Sequence, residues 1–359
     1  MLMLCQHLSP PHSCGNVLYF SIQQDIDRQQ KELLKSFIGR DVIQKLMGRE
    51  NLTLGERFIL VGFSDQPWLE KILFVFILIF YLLTLMGNGT IILVSNLDSQ
   101  LHTPMYFFLT HLSFIDLIHM TCISPQMLVN LGSTDKSISF AGCVAQLLIT
   151  LGLGGTECIL LAMMAYDRYV AVCQPLHYLT LMPPQLCWGL ASISWFVGFS
   201  NSLIHTSITI TLPRCGHHWI NHFYCETPPI IQLACVDTSN YRKEITVLSS
   251  IFLIFPLSLI LVSYGRIAHS VLRVKAPGGR QKALGTCGSH LIVVTIFYST
   301  VIYMYMTPKT KLSHDVTKFV ALLYNFIPPV LNPIIYTLRN RDFKKAIRKI
   351  MIRKQERRK

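Results

Sequence analysis

The sequence predicts an all-α membrane protein, a seven-transmembrane helix bundle with a short cytoplasmic amphipathic helix after the last span. Three observations carry this. Of 359 residues only 14% are charged and 51% are hydrophobic, whereas a soluble domain holds roughly 25% charged residues. Seven charge-poor apolar runs follow one another, and about twenty helical residues suffice to cross ~30 Å of hydrocarbon. The basic residues behind the net charge of +13 crowd beside those runs, which is an orientation signal before it is a nucleic-acid footprint.

Residues 1–46 stand apart. Met1 to Leu4 is too short an apolar run for a secretory signal, and polar residues follow Pro10 and Pro11. Ile26, Leu33, Leu34, Phe37, Ile38 and Leu46 recur at helical spacing among charges, so a weakly helical or disordered extension is expected, with Met47 a plausible start for the remainder. Residues 47–71 read as an extracellular arm holding the acceptor triplet Asn51-Leu52-Thr53.

The spanning domain is read over residues 72–338. Its first run, 72–97, has no charged residue; 104–131 has only Asp116, and 140–166 only Glu157. Residues 169–213 are charge-free but too long for one span, so 169–184 is expected to be loop and 186–206 the fourth helix. Runs 245–265, 283–308 and 319–338 complete the seven. Arg266, Arg273, Lys275, Arg280 and Lys282 crowd the link between spans five and six, and residues 339–359 hold eleven Lys/Arg against two acids. Those segments are placed in the cytoplasm. An odd number of spans then puts the N-terminus outside, on the side where Asn51 can be glycosylated. In the basic tail Phe343, Ile347, Ile350 and Met351 alternate with Lys344, Lys345, Arg348 and Lys349, the pattern of a short helix lying on anionic lipid.

Cys143, Cys215, Cys225 and Cys235 all fall on the extracellular side by this topology, where disulfides persist. Four cysteines allow three pairings, which residue spacing does not separate. The stretch His222-Phe223-Tyr224-Cys225-Glu226 has metal-ligating residue types, but an oxidised Cys225 offers no thiolate, so no metal is expected there. Inside the spans Asn88, Asp116, Glu157, Asn325 and Asn332 need partners, and Asp116 with Glu157 can share a cation or a proton. At the end of the third run Asp167-Arg168 puts an ion pair at the edge of an apolar span, a costly placement read as functional rather than as an anchor. No nucleophile triad, zinc motif, P-loop or dinucleotide fingerprint occurs, so enzyme chemistry is not expected.

Seven spans, Asp167-Arg168-Tyr169 and Asn332-Pro333-Ile334-Ile335-Tyr336 together resemble a rhodopsin-like G-protein-coupled receptor. The likeness narrows with Leu101-His102-Thr103-Pro104-Met105-Tyr106-Phe107-Phe108-Leu109, with Met164 to Cys173, with Ser263-Tyr264, with the stretch from Lys282 to Leu291, and with Tyr336-Thr337-Leu338-Arg339-Asn340. In this order they resemble the olfactory receptors, of the tetrapod-type branch. Leu284, Gly285 and Ser299 depart from the family pattern, and residues 1–46 have no counterpart in it.

The resemblance implies bridges Cys143–Cys225 and Cys215–Cys235, and sodium held at Asp116 with Glu157 beside it, with no other cofactor. It implies an activation switch in which Arg168 changes partners and Asp167 and Tyr169 engage a G protein. Tyr264, His290 and Tyr336 would form the adjoining hydrogen-bond set, Tyr298 the toggle of span six, and Asn332 and Pro333 the hinge of span seven. The implied pocket draws Thr150, Leu151 and Gly154 from span three and His205 from span four. It adds Leu248, Ser249 and Phe252 from span five, Val301, Ile302 and Tyr305 from span six, and Asn325 from span seven. This mostly apolar set suits a small volatile odorant and disfavours an amine. The implied partners are that odorant, a heterotrimeric stimulatory G protein of the olfactory type that raises cAMP, and membrane lipid, with no nucleic acid; the implied location is the plasma membrane. The competing readings are a receptor for a metabolite outside the olfactory epithelium and, remotely, a transporter using the intramembrane carboxylates, for which the sequence shows no inverted repeat.

Overall fold

The computed structural model describes residues 57–273, 279–306, 314–338 and 341–356, with Asp25 and Arg28; the side chains of 279–286, 304–306, 314, 337–338, 341 and 353–356 are not described. The reading of residues 1–46, but for helical Asp25 and Arg28, and the acceptor Asn51 lie outside the described residues.

Seven long helices follow the seven apolar runs: α1 (Pro67–Leu97), α2 (Pro104–Gly132), α3 (Phe140–Cys173), α4 (Pro184–Ile210), α5 (Ser239–Arg273), α6 (Gly279–Met306) and α7 (His314–Leu338). Most overrun the apolar run that predicts them. Helical hydrogen bonding does not stop where hydrocarbon does, so polar turns such as 239–244 and 266–273 simply extend α5. The expectation that 169–184 is loop is corrected at its start, because residues 169–173 are the last turn of α3. A 3-10 turn (Pro175–His177) and a single turn of helix (Tyr178–Leu181) follow it.

Among the described residues, five helices are long and apolar enough by themselves to cross a membrane: α1, α2, α3, α5 and the 315–336 stretch of α7. In α6 the apolar portion is shorter, Cys287–Tyr303. Helix α4 is charge-free over 27 residues, about 40 Å at 1.5 Å per residue. Ser192, Ser194, Ser200, Asn201, Ser202, Thr206, Ser207 and Thr209 make it less apolar than its neighbours. The most apolar stretch of α3 is 67% buried, against 17% in α1 and 22% in α5. The apolar side chains of α3 are therefore the more enclosed and those of α1 and α5 the more exposed.

The chain divides into two compact units, one of Met1–Leu78, Thr121–Thr150 and Ile204–Thr238, the other of Ile79–Met120, Leu151–Leu203 and Ser239–Lys359. The first, the sheet unit, adds a detail to the helical fold. It holds a three-stranded sheet in which β1 (Arg57–Leu60) lies between β2 (Ser137–Ser139), antiparallel, and β3 (Trp219–Ile220), parallel. Strands of two to four residues are too short for alternation to announce them. Gly62 turns the chain after β1 at φ +55°, and a Cβ there would stand 2.9 Å from the Phe223 ring, so only glycine serves.

In the second, the helical unit, α3 and α4 cross closely at Gly152, Gly155 and Gly198; a Cβ on Gly198 would come 2.6 Å from the Thr156 backbone nitrogen. Three prolines, Pro328, Pro329 and Pro333, lie inside α7. Pro333 cannot donate to the Pro329 carbonyl four residues back. Asn88 of α1 supplies the missing donor, its Nδ2 standing 2.9 Å from that oxygen. A final helix, α8 (Arg341–Glu356), is amphipathic as predicted. One expected lipid-facing residue is corrected: Phe343 is fully buried and stacks on Tyr106 at 6.2 Å, because the α8 face of Phe343 and Ala346 turns to the protein. Lys349 on that side reaches both oxygens of buried Asp98 at 3.3 Å. Met351 and Ile352 are left exposed.

Candidate functional site

Because residues 169–173 remain helical, Asp167 and Arg168 sit more than a turn inside the end of α3, and both are buried. Their side chains are ion-paired with each other. Asp167 has a second partner that sequence reading missed: the Tyr178 hydroxyl donates to its Oδ1 at 2.7 Å from the single turn of helix that follows. Burial first, and then the Asp167 charge, push the Tyr178 phenol above its ordinary range, so it remains a donor at any physiological pH. No motif flags Tyr178, since its role depends on the loop folding back eleven residues.

The other members of the expected switch lie in the same unit. Tyr264 of α5 and His290 of α6 share a hydrogen bond of 2.7 Å and stack at 5.8 Å. Tyr298 of α6 donates to the Cys158 carbonyl of α3 at 3.1 Å. Tyr336 lies in electrostatic reach of Tyr264, but among the described residues its buried hydroxyl has no hydrogen-bond partner, a condition that costs about 1–3 kcal/mol. Tyr169 sits in the α3 turn after Arg168, its ring 6.3 Å from that of Tyr166.

A line of polar residues runs along α7 at a spacing of seven, which keeps one helix face. Lys318 is buried and pairs with Asp315 at 3.5 Å. Asn325 accepts from His119 of α2 across 2.7 Å, and Asn332 donates to Asp116 of α2 at 3.0 Å. The two α2 partners are themselves one turn apart, so the contact is a two-rung ladder of side chains. Sequence reading named both asparagines and Asp116 and missed His119 and Lys318, which lack a motif. Glu157 of α3 lies in electrostatic reach of Asp116, and its Oε1, the Asn332 Oδ1 and the Asn88 Oδ1 are buried without hydrogen bonds. Orphaned oxygen acceptors beside a carboxylate pair are a donor set that fits a hard cation such as sodium. Among the described residues no cluster of three His, Cys, Asp or Glu fit to hold a metal occurs.

The expected pocket residues divide between the units. In the sheet unit, the Thr150 hydroxyl is taken by the Gln146 carbonyl of its own helix at 2.8 Å, while buried His205 has a ring nitrogen, Nε2, without a partner. In the helical unit, Leu151, Gly154, Leu248, Ser249, Phe252 and Val301 are half-buried, Ile302 is more exposed, and Asn325 is buried. A Cβ built on Gly154 meets no atom within 4 Å, so open space lies beside α3 there. The side chain of Tyr305 lies outside the described residues.

The sheet unit is closed by bonds of another kind. Cys143 at the start of α3 is joined to Cys225, and Cys215 to Cys235. Gln146, one turn after Cys143 and fully buried, binds on both sides: its Oε1 accepts from Cys225 N at 2.8 Å and its Nε2 donates to the Cys122 carbonyl at 3.1 Å. His222 Nε2 lies 3.6 Å from Glu226 Oε2, and both side chains are buried. Among the described residues Cys122, Cys158, Cys173, Cys187 and Cys287 take no part in a disulfide.

Comparison with known proteins agrees over most of the chain. A family model described as Olfactory receptor matches residues 76–354. Human Olfactory receptor 2G3 is 55% identical over 305 residues, covering 85% of this chain and 99% of that protein. Human Olfactory receptor 2G6 is 54% identical over 306 residues, covering 85% and 97%. Human Olfactory receptor 2W3 is 56% identical over 299 residues, covering 83% and 95%.

Proposed function

The chain belongs to the olfactory receptor family, and on that premise we propose that it is an odorant receptor coupling a small volatile ligand to a stimulatory G protein of the olfactory type. The ligand, mostly apolar, binds among α3, α4, α5, α6 and α7, and the response is a rise in cAMP. The receptor works at the plasma membrane with α8 and the basic α5–α6 link in the cytoplasm, the disulfides outside and a glycan on Asn51.

The observation that supports this reading best is the closed knot of Asp167, Arg168 and Tyr178. A buried arginine held by its neighbour is a switch in one of its two positions, and Arg168 gains a new partner only if Asp167 is given up. The unbonded Tyr336 hydroxyl is a group waiting for the other position. A ligand that binds the open conformation better shifts the population toward it, with outward movement of α6 exchanging the Tyr264–His290 and Tyr298–Cys158 bonds. The shift is bounded by the ligand's differential affinity for the two states. Sodium, if bound, would be held by Asp116, Glu157 and the amide oxygen of Asn332, and would supply positive charge to the two carboxyls in the closed state.

The test is a cAMP assay with an odorant panel on wild type and Arg168→Ala, normalised to surface receptor. Ligand-driven cAMP is expected from the wild type and not from the variant. Equal responses would overturn the coupling role.

A further inference from the structure

We propose that His119, held by Asn325, is the hydrogen-bond acceptor that selects a hydroxyl-bearing ligand, so that this receptor takes small alcohols or phenols in preference to their ethers. The proposal rests on the odorant-receptor reading and deepens it.

It begins with the Asn325 amide. Its Nδ2 lies 2.7 Å from the Ala321 carbonyl of the same helix. A carbonyl oxygen only accepts, so the amide nitrogen must face it and the amide oxygen must face the other way. That oxygen stands 2.7 Å from His119 Nε2. An amide oxygen also only accepts, so Nε2 carries the proton. In a neutral imidazole the second nitrogen is then a lone-pair acceptor. The chain thus fixes both the tautomer and the ring plane of His119 by one buried asparagine, itself anchored to its own backbone.

What the second nitrogen faces matters next. His119 lies one turn along α2 from Asp116, on the face that meets α7. Unlike fully buried Asp116 it is half-buried, and among the described residues Nδ1 has no hydrogen bond. Asp116 of the same helix and Asn332 of α7 use their side chains on each other, and Asn88 of α1 uses its amide nitrogen on the Pro329 carbonyl. The open space beside Gly154 belongs to the same unit. A fixed nitrogen acceptor with no hydrogen bond among the described residues rewards a ligand that brings one donor. A hydroxyl does so; an ether, a ketone or an alkane leaves the acceptor desolvated and unpaired. This also changes the role of Asn325, which becomes a positioning residue rather than a contact.

The experiment uses the full chain, epitope-tagged, in cells supplying the olfactory-type G protein, with cAMP read against surface receptor. The probes are straight-chain, cyclic and aromatic alcohols, the methyl ether of each, and matched ketones. The wild type is expected to respond to an alcohol at a concentration about tenfold lower than to its methyl ether. His119→Phe should erase that preference, shifting the alcohol about tenfold while leaving the ether where it was; His119→Gln, which keeps an acceptor, should restore part of it. Asn325→Leu, which releases the ring, should lose the preference more weakly than His119→Phe. An ether response unchanged in His119→Phe shows that the variant is folded. Equal potency of alcohol and ether on the wild type overturns the proposal, as does silence to every alcohol, or an equal loss of all probes in His119→Phe and His119→Gln. The receptor reading fails separately, when neither basal nor ligand-driven cAMP differs between wild type and Arg168→Ala.

Discussion

The sheet unit and the helical unit are held by different kinds of bond. In the first, two disulfides, a three-stranded backbone ladder and the two-sided Gln146 fix the loop after α4. In the second, helices are tied by single side-chain hydrogen bonds: Asn88 to α7, Asp116 to Asn332, His119 to Asn325, Tyr264 to His290, Tyr298 to α3. A covalent link or a ladder has one arrangement. A side-chain bond contributes about 1 kcal/mol and can be traded for another of equal worth. On the proposed reading, then, one unit holds a single conformation and the other can exchange between two.

Changes in the sheet unit should then remove protein, and changes in the helical unit should alter signalling. The largest effect is expected from Cys143→Ser. Losing a native disulfide costs about 2–5 kcal/mol in small secreted domains, so surface receptor measured by flow cytometry should nearly vanish. Normal surface amounts would break the comparison at its root. Gln146→Leu comes next: it leaves the buried Cys225 N–H without the Gln146 Oε1, at about 1–3 kcal/mol, and removes the Nε2 bond to the Cys122 carbonyl. A lowered Tm of the detergent-solubilised receptor is expected, with basal cAMP per surface receptor unchanged; a raised basal signal would show that the sheet unit also switches.

Tyr178→Phe should act the other way. It removes one donor from Asp167 and about 1 kcal/mol from the closed knot. Basal cAMP should rise about fivefold with surface receptor unchanged, and an unchanged basal signal would remove Tyr178 from the switch. The smallest effect belongs to Lys349→Ala. Its side chain is 41% exposed, and Asp98 keeps the Gln100 backbone N–H as a partner, so at most about 1 kcal/mol is at stake. A small fall in Tm is expected; a large one would mean that α8 docking, and not only the disulfides, holds the fold.

Much of this was legible because hydrocarbon constrains a sequence severely. Backbone groups in lipid must bond within their own helix, so long apolar runs without charge revealed seven helices directly. Intramembrane polar residues are rare enough that Asn88, Asp116, Glu157, Asn325 and Asn332 stood out. Tyr178, His119, Lys318 and Gln146 did not, because tyrosine and glutamine are ordinary near span ends, a neutral histidine adds no charge to a span, and a lysine near a helix start reads as solvated. The sheet was illegible for a plainer reason: its strands are shorter than the pattern that would reveal them.

By itself, then, the sequence determined the spans and the basic amphipathic tail, since each follows from local composition and periodicity. Only the tertiary structure decided which residues meet. It bonded Tyr178 to Asp167, left Tyr336 unbonded, turned Phe343 toward the protein rather than lipid, and set Asn325 against His119 rather than toward open space. The physical reason is that a hydrogen bond needs two groups within about 3 Å. Partners 206 residues apart in the chain, as His119 and Asn325 are, are brought to that distance by helix packing, which no local pattern encodes.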